Sequence, residues 1–157
     1  MSAVARRIPF HGEWSGKKKV DTWFWKLRRM YWRSPIERIE FKERLRDPVI
    51  PDHYQKSKAL LLGMYVWDEK ALFLNPIGRD DDGWHDAGKI FLHELLHRLD
   101  KKAHEQTITR REEWLWSSFT GDQRNYLYVC LFAKLVQPGR GIRIKATIPR
   151  RSRNRRE

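Results

Sequence analysis

Apolar residues recur along this chain at a spacing of three or four positions, which is typical of helices. The first such segment, 17–32, predicts an amphipathic helix. A wider apolar set predicts a helix over 86–102 that lies in the centre of the fold. Two more helices are predicted, over 109–119 and from 120 or 122 to 137. The apolar positions of the first helix are Val20, Phe24, Leu27 and Tyr31.

Shorter elements lie between these helices. Ser34, Pro35 and Glu37 are typical of a helix N-terminus and predict a short helix to about residue 46. The apolar runs 59–67 and 71–75 flank three polar residues, which predicts a β-hairpin. We therefore expect an α+β fold in which a small antiparallel sheet packs on the central helix, with several further helices around it.

The composition narrows the class of protein. The chain has 157 residues, 40% of them apolar, which suits a single domain. We expect an irregular segment over 1–16, one domain over 17–137 and a largely disordered basic tail over 138–157. A single cysteine, Cys130, excludes an internal disulfide framework and a multi-cysteine zinc site. Because no apolar stretch is long enough to span a membrane and the start lacks a signal peptide, we expect a cytoplasmic protein.

The net charge of +13 is concentrated at the ends of the chain. Residues 1–33 and 138–157 each carry a net charge of +7, whereas the segment between them carries −1. Nucleic acid is therefore a candidate partner through the basic termini.

The stretch 22–33 interleaves Arg with aromatic residues, and two interpretations stay open. Its side chains would stack on bases, hold phosphates or contact an anionic lipid surface, or the helix would cover the core while its Arg side chains face water.

One motif carries chemistry. Residues 93–97 read His-Glu-Leu-Leu-His, so that His93 and His97 lie on one face of the central helix, where both imidazoles can bind one metal ion. Glu94 is rotated by about 100° from His93, which places its carboxylate beside the open coordination position. There it can take a proton from a water whose pKa zinc lowers to about 7. The motif therefore predicts a zinc site with Glu94 as the catalytic base.

A catalytic zinc site needs a third protein ligand, and three residues after the motif are candidates. Thr109 and Glu112 stand at the spacing of a capping box. If Glu112 caps the helix, Glu113 is left for the metal, and we prefer Glu113 over Glu112 and His104. Asp100 is a candidate hydrogen-bonding partner for an imidazole.

The order of these elements resembles the small gluzincin metallopeptidases, within them the ImmA/IrrE-like group. The resemblance covers about residues 58–137 and includes a glutamate six residues before a phenylalanine, which Glu113 and Phe119 match. It implies a zincin-like α+β fold, a bound Zn²⁺ ion, and a protein or peptide substrate that lies as an extended strand along the sheet edge.

The main hypothesis is a zinc metallopeptidase with His93, His97 and Glu113 on the metal and Glu94 as general base. The alternative is a basic nucleic-acid-binding or assembly protein in which the motif helix is structural or inactive. A group that stabilises the oxyanion is also expected. Its candidates are His85, His104, Tyr126 and Tyr128.

Overall fold

A computed structural model describes residues 7–34, 36–42, 63–76 and 86–136, which form four helices and a three-stranded sheet. This is the α+β architecture that the sequence predicts. None of the helices within these ranges is long and apolar enough to cross a membrane. In chain order the elements are α1 (Lys18–Arg33), β1 (Arg38–Phe41), β2 (Gly63–Val66), β3 (Ala71–Leu74), α2 (Ala87–Leu99), α3 (Glu105–Ser118) and α4 (Gly121–Lys134).

The sheet has the strand order β1-β3-β2. Strands β2 and β3 pair antiparallel across the turn at 67–70, as the hairpin prediction requires. Residues 59–62, the start of the predicted first strand, lie outside the described residues. Strand β1 pairs parallel to β3, with Ile39 opposite Leu72, so the sheet is mixed and the prediction of a purely antiparallel sheet is wrong. Among the described strands, β2 lies at the sheet edge.

The helix predicted over 34–46 is also wrong, because Arg38–Phe41 forms β1. Non-local hydrogen bonds replace the helical ones: the Glu37 N–H donates to Lys70 O, and the Val136 N–H donates to Ile39 O. Ile39 is fully buried. Its burial in the sheet outweighs the local helix-start signal of Ser34 and Pro35, since strand formation depends on packing against neighbours.

Helix α2 is the central element, as predicted. It packs against α1, α3, α4, β2 and β3. Its N-cap residue Asp86 accepts hydrogen bonds from Gly88 N and Lys89 N. The side chains that it buries are Ile90, Phe91, Leu92, Leu95 and Leu96. The predicted apolar face of α1 is confirmed as well, because all four of its residues are buried.

Helix α3 begins at Glu105, four residues before the predicted start. The predicted capping box of Thr109 and Glu112 is therefore wrong, because both residues lie inside the helix. The capping box that forms belongs to α4, where Thr120 and Gln123 bond reciprocally. The earlier start of α3 places Glu105 inside the helix, one turn before Ile108.

Residues 7–17 form no helix or strand. They nevertheless pack on the helices, since the Phe10 ring lies edge-on to Phe24 and Tyr126 and the Tyr126 hydroxyl donates to Ile8 O. Residues 1–6 and the predicted basic tail lie outside the described residues.

Lys134, at the end of α4, is a buried cation. Its side chain is 7% exposed, its Nζ donates to Ile36 O at 2.7 Å, and the ammonium lies 4.3 Å from the centroid of the Tyr31 ring. Burial lowers the pKa of Lys134 from 10.5 to about 8, against the opposing charge of Glu37.

This burial predicts a pH-dependent stability. Between the lowered pKa of about 8 and the unfolded value of 10.5, the unfolded chain binds the Lys134 proton more tightly, so the folded state gains stability as the pH rises. Relative to Lys134→Met, the wild-type free energy of unfolding should rise by about 1 kcal/mol between about pH 7 and about pH 9. Urea denaturation of both proteins measures it. A constant difference between them would contradict a buried, titrating ammonium.

Candidate functional site

Helix α2 brings the two histidines of the motif together. The spacing of four residues places them one turn apart on the same face. The centroids of the His93 and His97 rings are 4.8 Å apart. The His93 side chain is 16% exposed and that of His97 is 34% exposed. The pair therefore lies at the boundary between the core and the surface.

Two carboxylates of α3 contact these imidazoles. Glu105 contacts both rings, with Oε1 at 2.8 Å from His97 Nε2 and Oε2 at 3.0 Å from His93 Nε2. Glu112 Oε1 lies 2.7 Å from the other ring nitrogen of His93, Nδ1. The Nε2 atoms of both rings thus face one carboxylate, while Glu112 fixes the orientation of the His93 ring.

His93, His97 and Glu105 form a group that could hold a metal ion. Each offers one ligand atom, and these atoms all lie within 4.8 Å of one another. Two imidazole nitrogens and a glutamate oxygen are the donor set of a catalytic zinc site, in which a fourth position stays open. The donor chemistry of the group therefore fits zinc.

Glu94 lies between α2 and the edge strand β2. A Cβ atom added to Gly63 would lie 2.6 Å from Glu94 Cγ and 2.6 Å from its Oε2, so the missing side chain of Gly63 makes room for this carboxyl. Burial raises the pKa of Glu94 to about 7; the charge of His93 opposes the shift, and Glu105 and Glu112 add to it. No described residue hydrogen-bonds to the Glu94 carboxyl.

The site is rich in negative charge. Burial alone would lower the pKa of His93, but the hydrogen bond with Glu112 and the charges of Glu105 and Glu94 outweigh it and raise the pKa. The Lys89 ammonium approaches the site at Glu112, with Nζ 3.8 Å from Oε2. Three carboxyl groups around two imidazoles form a site whose charge suits a divalent cation.

The structure does not bring Glu113 to the histidines. Its side chain is 61% exposed and pairs with Lys89 Nζ at 2.7 Å, whereas the neighbouring Glu112 is 12% exposed and faces His93. One residue along a helix is a rotation of about 100°, which accounts for the difference. His104 is the exposed N-cap residue of α3, and Asp100 lies 3.4 Å from Arg111 Nη1 rather than near an imidazole.

Sequence reasoning missed Glu105, although the sequence carries a signal for it. Glu105, Ile108, Glu112 and Leu115 follow one another at intervals of three, four and three residues, so they share a helix face. Ile108 and Leu115 are fully buried, which orients both carboxylates towards α2. The signal was hidden because a helix start at Thr109 leaves Glu105 outside the helix.

The predicted oxyanion-stabilising residues are in different environments. The Tyr126 hydroxyl donates to Ile8 O, and the Tyr128 hydroxyl donates to Asp86 Oδ1, so each already has an acceptor. Burial raises the pKa of Tyr128 to about 12. His85 lies outside the described residues, and the role of these residues stays a prediction.

Comparisons of the chain with protein-family models, with curated proteins and with solved structures find no match.

The contact between Gly63 and Glu94 predicts a strong coupling between the two positions. Gly63→Ala should lower the free energy of unfolding by about 1–3 kcal/mol, because the added methyl group overpacks the space that Glu94 occupies. In a Glu94→Ala background the same change should cost less than about 0.5 kcal/mol, since that space is then empty. Chemical denaturation of the four proteins measures the coupling. An equal cost of Gly63→Ala in both backgrounds would show that the two side chains do not compete for space.

Proposed function

We propose that this chain is a zinc-dependent metallopeptidase with a zincin-like arrangement of its helices and sheet. The observation that carries the proposal is that the Nε2 atoms of His93 and His97 both contact the carboxylate of Glu105, in a group whose ligand atoms all lie within 4.8 Å of one another. Glu94, a buried carboxyl group on the next residue of the same helix, stands beside them. Two imidazoles, an acidic ligand and a separate carboxyl base are the parts that peptide hydrolysis at zinc requires.

His93, His97 and Glu105 are the proposed metal ligands. When bound, zinc supplies a Lewis acid that polarises the substrate carbonyl and lowers the pKa of a coordinated water. Glu112 supports the site from outside: at 2.7 Å from His93 Nδ1, it holds a proton on that nitrogen and leaves the Nε2 lone pair for the ligand position. Glu113, which pairs with Lys89, takes no part in this assignment.

Glu94 is the proposed general base and acid. It accepts a proton from the attacking water and donates it to the leaving amine, which requires a carboxyl group that exchanges a proton near neutral pH. Its burial supports this role, because a carboxyl group withdrawn from water binds a proton more readily. Gly63 contributes by leaving room for the carboxyl between α2 and β2.

The substrate is proposed to be a protein or peptide segment in an extended conformation. Within the part of the chain that the structure describes, strand β2 is at the edge of the sheet, and its first residue, Gly63, lies next to Glu94. A substrate strand that added to this edge would form main-chain hydrogen bonds and pass the catalytic carboxyl. The alternative of an assembly protein with an inactive motif helix requires no metal, which separates it from the peptidase by experiment.

Zinc binding tests the ligand assignment. We expect about one zinc ion per chain. Glu105→Gln should weaken zinc binding by more than about 100-fold, whereas Glu112→Gln, which removes the carboxylate that supports His93, should weaken it by about 10–100-fold. Glu113→Gln is the matched control on the same helix and should leave the affinity unchanged. Competition against a chromophoric chelator measures all four proteins. A folded wild-type chain that retains no zinc, or an effect at Glu113 and none at Glu105, would overturn the assignment.

Hydrolysis tests the role of Glu94. Glu94→Gln keeps the size of the side chain and removes its ability to exchange a proton, so peptide hydrolysis by the zinc-loaded protein should fall by about 10²–10⁴-fold. Zinc content and the thermal unfolding midpoint should be retained, because glutamine has the same shape as glutamate and replaces a buried ionisable group with an uncharged one. A quenched-fluorescence peptide library gives the rates. Hydrolysis that survives in Glu94→Gln, or in the presence of a chelator, would contradict the mechanism.

A further inference from the structure

A groove of about 360 Å³ lies between α1 and the C-terminal end of α2. Both of its walls carry cations: Lys26, Arg29 and Arg33 on α1, and Arg98 and Lys101 after the second histidine of the motif. No aspartate or glutamate is among the described residues that line it. The groove is therefore a concave and strongly positive surface.

The cations of α1 form a continuous stripe. Lys26, Arg29 and Arg33 are separated by three and four residues, so they lie on one helix face, and all three are exposed. Asp21, the acidic residue of α1, lies near the start of the helix, where it accepts hydrogen bonds from Ser15 and Gln123. It is too far along the helix to neutralise the stripe.

Aromatic side chains lie next to the cations of the groove. Trp25 lines the groove, is 45% exposed, and carries the Arg29 guanidinium 5.1 Å from its ring centroid. The Arg98 guanidinium lies 4.2 Å from the ring centroid of Trp67, which is 57% exposed. Lys101 lies 5.0 Å from the same ring. The aromatic faces hold the cations in place, so little side-chain freedom is lost when a ligand binds.

We propose that this groove binds single-stranded nucleic acid, with its phosphates on the two rows of cations and a base stacked on Trp25. A positive groove with an exposed aromatic ring is typical of proteins that bind a single strand without reading its sequence. A flat anionic membrane would not reach cations on both walls of a groove, and the backbone and carboxylates of an acidic peptide offer no ring to stack on the exposed indole of Trp25. The site is separate from the histidines and does not depend on the proposed peptidase activity.

Charge reversal on the stripe tests the proposal in the full-length chain. The probe is a fluorescent oligothymidylate of about 12 nucleotides, a length within the range of single-stranded sites. Arg29→Glu with Arg33→Glu should weaken its binding more than about tenfold and lower the slope of log affinity against log salt by about 0.7 per lost phosphate contact. The matched control is Lys18→Glu with Lys19→Glu, which changes the net charge equally on exposed residues of the same helix outside the groove. It should keep the wild-type slope and lose less affinity.

Stacking is tested separately. Trp25→Ala should weaken binding of the oligothymidylate by about tenfold, whereas Trp114→Ala, at a residue that is 40% exposed on α3, should not. Polyglutamate and vesicles of phosphatidylcholine with phosphatidylserine are the competing probes, and both should bind more weakly at equal salt. Equal binding and salt slopes for the two charge-reversed pairs would overturn the proposal. So would tighter binding of polyglutamate or vesicles than of the oligonucleotide. Circular dichroism confirms that each variant is folded.

Discussion

The rest of the structure depends on one constraint: helix α2 is packed on nearly every side, yet it carries two histidines and a glutamate next to its buried leucines. Polar groups withdrawn from water need partners. Helix α3 supplies them for the imidazoles through Glu105 and Glu112, whereas at Glu94 strand β2 makes room for the carboxyl through Gly63. The positions of α3 and β2 therefore accommodate the polar side chains of α2 as well as packing against its apolar ones.

The last residue of this motif and the residue after it face two different sites on the surface of the molecule. His97 faces Glu105 on α3, and the next residue, Arg98, about 100° further around the helix, faces Tyr65 and Trp67. Consecutive residues of one helix thus belong to an acidic site and to a basic groove. The net charge of +13 does not reveal this difference, because the acidic site and the basic groove each depend on the charges of neighbouring side chains.

The helices could be predicted from the sequence because their apolar residues repeat at helical spacing over several turns, and α1 and α2 are the clearest cases. Strand β1 could not, since its four residues are stabilised by hydrogen bonds to β3 and to residues near the end of α4. Within the site, the His93–His97 pair follows from spacing alone. The choice among the glutamates of α3 depends on where that helix begins, and a start four residues early changes which carboxylate meets the imidazoles.

Glu105 belongs to the first turn of α3, and its side chain is 66% exposed. From Ile108 onwards the helix is anchored by buried residues, whereas in this first turn Glu105 contacts the two imidazoles. Opening of one helical turn separates the carboxylate from both rings and leaves the core packed, and such local openings require far less free energy than global unfolding. The assembly of the site and the integrity of the fold are therefore two distinct equilibria in this protein.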